Sequence, residues 1–149
     1  MSLGLDAVER LARARSDLRM GAGIAVLGPE TGAVVMAAET VPAARLADLR
    51  SLGEVDLAIT DWRAETLKAR AYDGDLARIE VPADADLGWM RAVADPSTDL
   101  MTPMKGPFQT RRGGDSRAQL AAILLAKSAR LLPAMLMVEA AVHGLPNLP

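Results

Sequence analysis

The chain has no cysteine, one histidine, and only two Trp, one Tyr and one Phe among its 149 residues. Without cysteine, disulfides and thiolate metal sites are excluded, and a cytoplasmic location is expected. With so few rings, a base-stacking surface for single-stranded nucleic acid is disfavoured, because such surfaces need several exposed aromatics. Neither sign of charge dominates. The formal net charge is −2 with no long charged run, which favours neither DNA nor an anionic membrane. The longest apolar stretches, around residues 120–126 and 131–138, fall short of the roughly 20 residues that a membrane span needs. A basic-then-apolar leader is also missing. Half of the residues are nevertheless apolar and 24% are charged, as in a folded globular domain. The core must be built from Leu, Ile, Val, Met and Ala.

Hydrophobic periodicity gives an alternation of helices and strands. Leu5, Val8, Leu11, Ala14 and Leu18 form one stripe of a helix over residues 5–19, and Gly21 and Gly23 stop it. Two apolar runs, 24–27 and 33–37, flank the turn Gly28-Pro29-Glu30-Thr31-Gly32 and read as a hairpin covered on both faces. A helix is expected over 41–49 with proline in its first turn, and a strand over 55–60. Thr60 or Asp61 then caps a helix carrying Ala64, Leu67 and Lys68. Residues 76–81 alternate as a half-buried strand does. Asp84 or Asp86 caps a helix over 87–94, and the Gly- and Pro-containing stretch 96–114 reads as a long loop. A strong helical pattern covers 116–132 and ends at Pro133, followed by an apolar strand over 134–138. The expected class is α/β or α+β, with a mixed β-sheet carrying helices on its faces. One domain spans residues 4–138, and 139–149 form a tail or linker.

Few residues offer chemistry. His143 lies in the tail without an orienting partner, and none of the serines sits in a Gly-x-Ser-x-Gly elbow. No phosphate-binding glycine motif is present. Asp73 with Asp75, and Asp84 with Asp86, could supply oxygen ligands to a cation, but turns and helix caps call for Asp at the same places. Lys105, Arg111 and Arg112, beside glycines, form the most basic patch and are candidate anion-binding residues; a solvated loop is the alternative. The methionines of the second half, Met90, Met101, Met104, Met135 and Met137, could fill a core or face a partner. No catalytic and no metal-binding residue is assigned.

Taken together, several segments resemble enzymes of riboflavin biosynthesis. Asp17-Leu18-Arg19-Met20-Gly21, the strand 24–27, Val34-Val35-Met36-Ala37-Ala38-Glu39 and Leu57-Ala58-Ile59-Thr60 look like dihydroxybutanone-phosphate synthase. In the active synthase the first turn is acidic and binds magnesium and the sugar phosphate. Here it is short, and Glu30 is its one carboxylate. A hard divalent cation needs several oxygen ligands, so Glu30 alone is a poor site. The later histidine and threonine motifs of the synthase have no counterpart.

A wider resemblance is to the degenerate synthase-like domain that precedes the catalytic domain in many bacterial GTP cyclohydrolase II proteins. It rests on Ala37-Ala38-Glu39-Thr40, Arg63-Ala64-Glu65-Thr66-Leu67-Lys68-Ala69-Arg70, Lys105-Gly106-Pro107-Phe108, and the segment from Leu125 through Lys127 and Leu132 to Ala134. The resemblance implies a non-catalytic structural or assembly domain. Its parent would convert GTP to a diaminopyrimidinone ribosyl phosphate, formate and pyrophosphate. It also implies a cytoplasmic homodimer with an apolar, methionine-rich face, and a C-terminal GTP cyclohydrolase domain as partner. Zinc belongs to that second domain, where three cysteines would hold it; the Leu-Pro-Asn-Leu-Pro ending fits a break at the domain junction. Residual synthase activity on ribulose 5-phosphate, or a phosphate- or nucleotide-sensing role, are the alternatives.

Overall fold

The computed structural model describes residues 3–27, 32–69, 71, 74–100, 108–111 and 116–140. Along the chain come α1 (Ala7–Arg19), β1 (Ile24–Leu27), β2 (Gly32–Ala37), α2 (Ala43–Leu52), β3 (Asp56–Thr60), α3 (Asp61–Leu67) and β4 (Leu76–Glu80). There follow α4 (Leu87–Ala94), a 3-10 turn (Pro96–Thr98), β5 (Thr110–Arg111), α5 (Arg117–Ser128) and β6 (Ala134–Ala140). The strands form one sheet in the order β1-β2-β6-β3-β4-β5. The class is α+β as expected, but every ladder among the described residues is antiparallel rather than mixed.

β6 lies between β2 and β3, so the last strand in sequence is central in space. Its register sets Leu136 opposite Met36 on one side and Leu57 on the other. Apolar residues point both ways from it, because helices cover both faces of the sheet. Leu46 and Leu49 of α2, Ala64 of α3, and Met90 and Val93 of α4 pack with Leu57, Ile59 and Leu136 on one face. Ala14 and Leu18 of α1, and Ala122, Ile123 and Ala126 of α5, pack with Val35, Met135 and Met137 on the other. The methionines Met36, Met90, Met135 and Met137 are thus buried core, not a partner-facing surface. Met101 and Met104 lie outside the described residues.

The expected half-buried strand is buried on both faces from Leu76 to Ile79. Its alternation is real, but the polar position is Arg78, only 3% exposed on the α5 side of the sheet. The stripe of α1 is half used: Ala14 and Leu18 are buried, whereas Leu5, Val8 and Leu11 are exposed. The buried positions lie in the C-terminal half of α1, whereas Val8 and Leu11 belong to its N-terminal half and Leu5 precedes its N-cap Asp6.

Local signals explain the ends. Asp6 caps α1 by accepting from Glu9 N–H at 2.8 Å, and the Glu9 side chain accepts from Asp6 N–H in return. Gly21 closes α1 with φ +78°, and a Cβ there would stand 2.6 Å from the Thr40 carbonyl oxygen. Pro42 is the N-cap of α2, so that helix starts after the proline and runs to Leu52. α5 stops at Ser128, earlier than Pro133 alone requires. Arg130 takes φ +61° and Leu131 N–H returns to the Ala126 carbonyl at 3.0 Å. This reversal lets Leu131 and Leu132 pack on opposite faces of the sheet. β6 continues to Ala140, past the expected domain limit at 138. The expected loop 96–114 contains the 3-10 turn and β5.

If β6 anchors both halves of the core, Leu136→Ala lowers unfolding free energy by about 3 kcal/mol, within the usual range for a buried Leu. The exposed Leu124→Ala changes it by less than about 0.5 kcal/mol. Urea denaturation followed by circular dichroism checks both; equal losses would contradict the packing described.

Candidate functional site

Three elements meet at one end of the central strands. β3 ends at Thr60, whose Oγ1 accepts from Arg63 N–H at 3.1 Å and starts α3 there. That start turns Arg63 inward. Its guanidinium donates to both Asp99 oxygens at 2.7 Å, to the Val93 carbonyl at 2.7 Å and to the Ala92 carbonyl at 3.1 Å. Arg63 therefore ties α3 to the end of α4 and to the chain beyond the 3-10 turn. Its side chain is 9% exposed. On the neighbouring side, Glu39 follows β2 and accepts from Leu132 N–H at 2.9 Å. Thr40 Oγ1 donates to the Leu18 carbonyl.

Between α3, α4 and the turn before β6 lies a cleft of about 290 Å³. Ile59, Trp62, Thr66, Pro96, Leu132 and Pro133 are among its lining residues. Glu39, Arg63, Thr66, Leu132 and Ala134 all come from the segments that carry the resemblance to the cyclohydrolase-linked domain. In the fold, two of those four segments line this cleft, and Glu39 of a third is bonded to Leu132 at its edge.

The second polar centre is at the sheet edge. Arg111 of β5 donates from Nε and Nη2 to the two Asp56 oxygens, at 2.7 and 2.8 Å. Glu80 and Glu54 lie 3.6 and 3.5 Å from the same guanidinium. The hydrogen bond to Asp56, with the charges of all three carboxylates, raises the Arg111 pKa despite partial burial. This bidentate pair pins an edge strand of two residues against β4. Arg111, a candidate for binding anions, is thus engaged with carboxylates. Lys105 and Arg112 lie outside the described residues, as do Glu30, Asp73 and His143.

Asp86 caps α4 by accepting from Trp89 N–H at 2.9 Å, the cap alternative for that acidic pair. Among the described residues, no group of three His, Cys, Asp or Glu side chains could hold a metal ion. No helix of the described residues is long and apolar enough to cross a membrane. Buried Gln119 is one polar group that the sequence did not single out; its Oε1 has no hydrogen-bond partner among the described residues. The Arg63–Asp99 and Arg111–Asp56 pairs were missed as well. Their partners are 36 and 55 residues apart, and only sheet and helix packing brings them together.

Solved structures with this architecture include 3,4-dihydroxy-2-butanone 4-phosphate synthase of Candida albicans. It is 19% identical over 93% of this chain and 82% of that one, with a TM-score of 0.61. A cation-free form of such a synthase is 17% identical over 97% and 82%, with a TM-score of 0.63. A two-domain synthase from A. baumannii is 15% identical over 87% of this chain and 47% of that one, with a TM-score of 0.63. No protein-family model matches the chain, and no curated protein matches it. The chain therefore has the synthase fold, as its N-terminal segments led us to expect.

Removing a buried guanidinium strands its carboxylate and carbonyl partners. Arg63→Met is expected to cost about 3 kcal/mol. Arg111→Met, at a site one-third exposed, is expected to cost no more than about 1 kcal/mol. Urea midpoints of the two variants check this; a larger loss for Arg111→Met would contradict the assignment of Arg63 as the main polar tie.

Proposed function

We propose that this domain uses the synthase fold for binding and assembly, in the service of a GTP cyclohydrolase II of riboflavin biosynthesis, and not for synthase chemistry. The carrying observation is the state of its ionised groups. At the cleft, the resemblance segments use Arg63 and Glu39 to join elements of the scaffold. At the sheet edge, Asp56, Glu54 and Glu80 converge on Arg111. A group that acts on substrate must be within reach of it and in the right protonation state. Side chains locked in bidentate pairs are poorly suited to that task.

Magnesium has to be considered, since one synthase of this fold is described with two magnesium ions. The residues here do not fit it. The carboxylates Glu54, Asp56 and Glu80 already surround a guanidinium, and a dication there would face a fixed positive charge. By sequence, the turn between β1 and β2 carries Glu30 alone. In this reading the domain accompanies a C-terminal GTP cyclohydrolase domain, holds it in a homodimer, and leaves zinc and hydrolysis to it.

Incubation with magnesium and ribulose 5-phosphate should give no 3,4-dihydroxy-2-butanone 4-phosphate above the protein-free rate. Turnover that Glu30→Ala abolishes would overturn the proposal in favour of a working synthase. In parallel, light scattering at tens of micromolar should detect self-association or a complex with a GTP cyclohydrolase II catalytic domain. A strictly monomeric chain that binds no such domain would also overturn it.

A further inference from the structure

The cleft beside α3 has a feature that scaffold building does not use. Trp62, one of only two tryptophans in the chain, is 77% exposed at its rim. The other, Trp89, packs against Phe108 with ring centroids 6.0 Å apart. An exposed indole beside an apolar recess is a surface that a ligand can cover.

The polar groups around Trp62 say which ligand. Apart from the Trp62 indole N–H, the donors at the cleft are engaged, and Lys68, exposed three residues beyond Glu65, is not part of its lining. Arg63 is engaged by Asp99 and two carbonyls. Asp61 N–H donates to the Asp75 carbonyl at 3.0 Å, and Arg63 N–H to Thr60 Oγ1. Thr66 Oγ1 donates to the Trp62 carbonyl at 3.2 Å. An anion would find no free side-chain donor among these. The acceptors are available. Glu65 is exposed one helical turn from Trp62, and Asp61 precedes it; neither carboxylate has an ion-pair partner among the described residues. A ring face attracts cations, and so do two unneutralised carboxylates beside it. The recess offers Pro96, Leu132 and Pro133 to an aliphatic stem, over a floor closed by the buried Ile59. Its volume of about 290 Å³ suits one side chain, since it lies at the bottom of the ~300–1,000 Å³ range of small-molecule sites.

We propose that this cleft binds a cation on an apolar stem, specifically an arginine side chain presented by a partner polypeptide. The guanidinium lies over the Trp62 ring, Asp61 and Glu65 neutralise it, and the methylenes enter the recess. This site lies at the Ala134 end of β6, whereas the β1–β2 turn adjoins the opposite end, where Gly32 pairs with Ala140. The inference goes beyond the assembly reading and does not require a GTP cyclohydrolase as the partner.

The test is a titration of the full chain with N-acetyl-arginine amide, following both tryptophan indole N–H signals by NMR. N-acetyl-norleucine amide serves as the uncharged control. The Trp62 signal should move and saturate in the millimolar range, while Trp89 stays in place. Read from the backbone amide signals of α3, which survive both substitutions, affinity should fall two- to fivefold in Trp62→Leu, matching an exposed cation–π contact, and similarly in Glu65→Gln. Because both side chains are exposed, the variants should keep the wild-type circular dichroism spectrum, and binding should weaken as salt is raised. A Trp62 signal that stays still, or one that norleucine amide moves equally, would overturn the proposal.

Discussion

Everything in this fold depends on the insertion of β6 between β2 and β3. Without it, the β1-β2 hairpin and the β3-β4-β5 ribbon would be separate, with no shared hydrogen bonds. With it, Leu136 and its neighbours join the two halves of one sheet and complete the core on both faces. The strand has to be apolar on both sides, and Ala134-Met-Leu-Met-Val138 is. Leu131, Leu132 and Pro133 aim it, after the left-handed Arg130 has turned the chain out of α5.

A sheet covered on both faces leaves little room for ionised groups inside, and most of those that are part-buried act as ties. Arg63 joins α3 to α4 and Arg111 holds β5 at the edge; Glu39, itself exposed, accepts from the turn that leads into β6. The synthase fold is thus present, while the two most engaged guanidiniums described in it, those of Arg63 and Arg111, are held by structural partners. That combination is what the assembly reading proposed above rests on.

Much of the fold was legible in the residues because its signals are local. Thr60, Asp86 and Gly21 sit where a cap or a stop is needed, and the apolar runs of β2, β3 and β6 stand out between them. What escaped depended on distance in sequence. Nothing near Arg111 announces Asp56, and nothing near Arg63 announces Asp99, because each pair exists only once the strands have found their register. Arg78 looked like the solvent side of a half-buried strand, since alternation cannot reveal that α5 covers it. The stripe on α1 predicted burial along the whole helix, because periodicity does not report how much of a helix its neighbours cover. The candidate site followed the same division. The segments of resemblance were visible, but not their meeting around one cleft, nor the exposure of Trp62 at its rim.

The central claim is that the synthase architecture is kept while sugar-phosphate recognition is not. Calorimetric titration with ribulose 5-phosphate, in the presence of magnesium, addresses this directly, because it reads binding without requiring turnover. The account predicts no heat beyond dilution. A saturable isotherm approaching one equivalent per chain would contradict it.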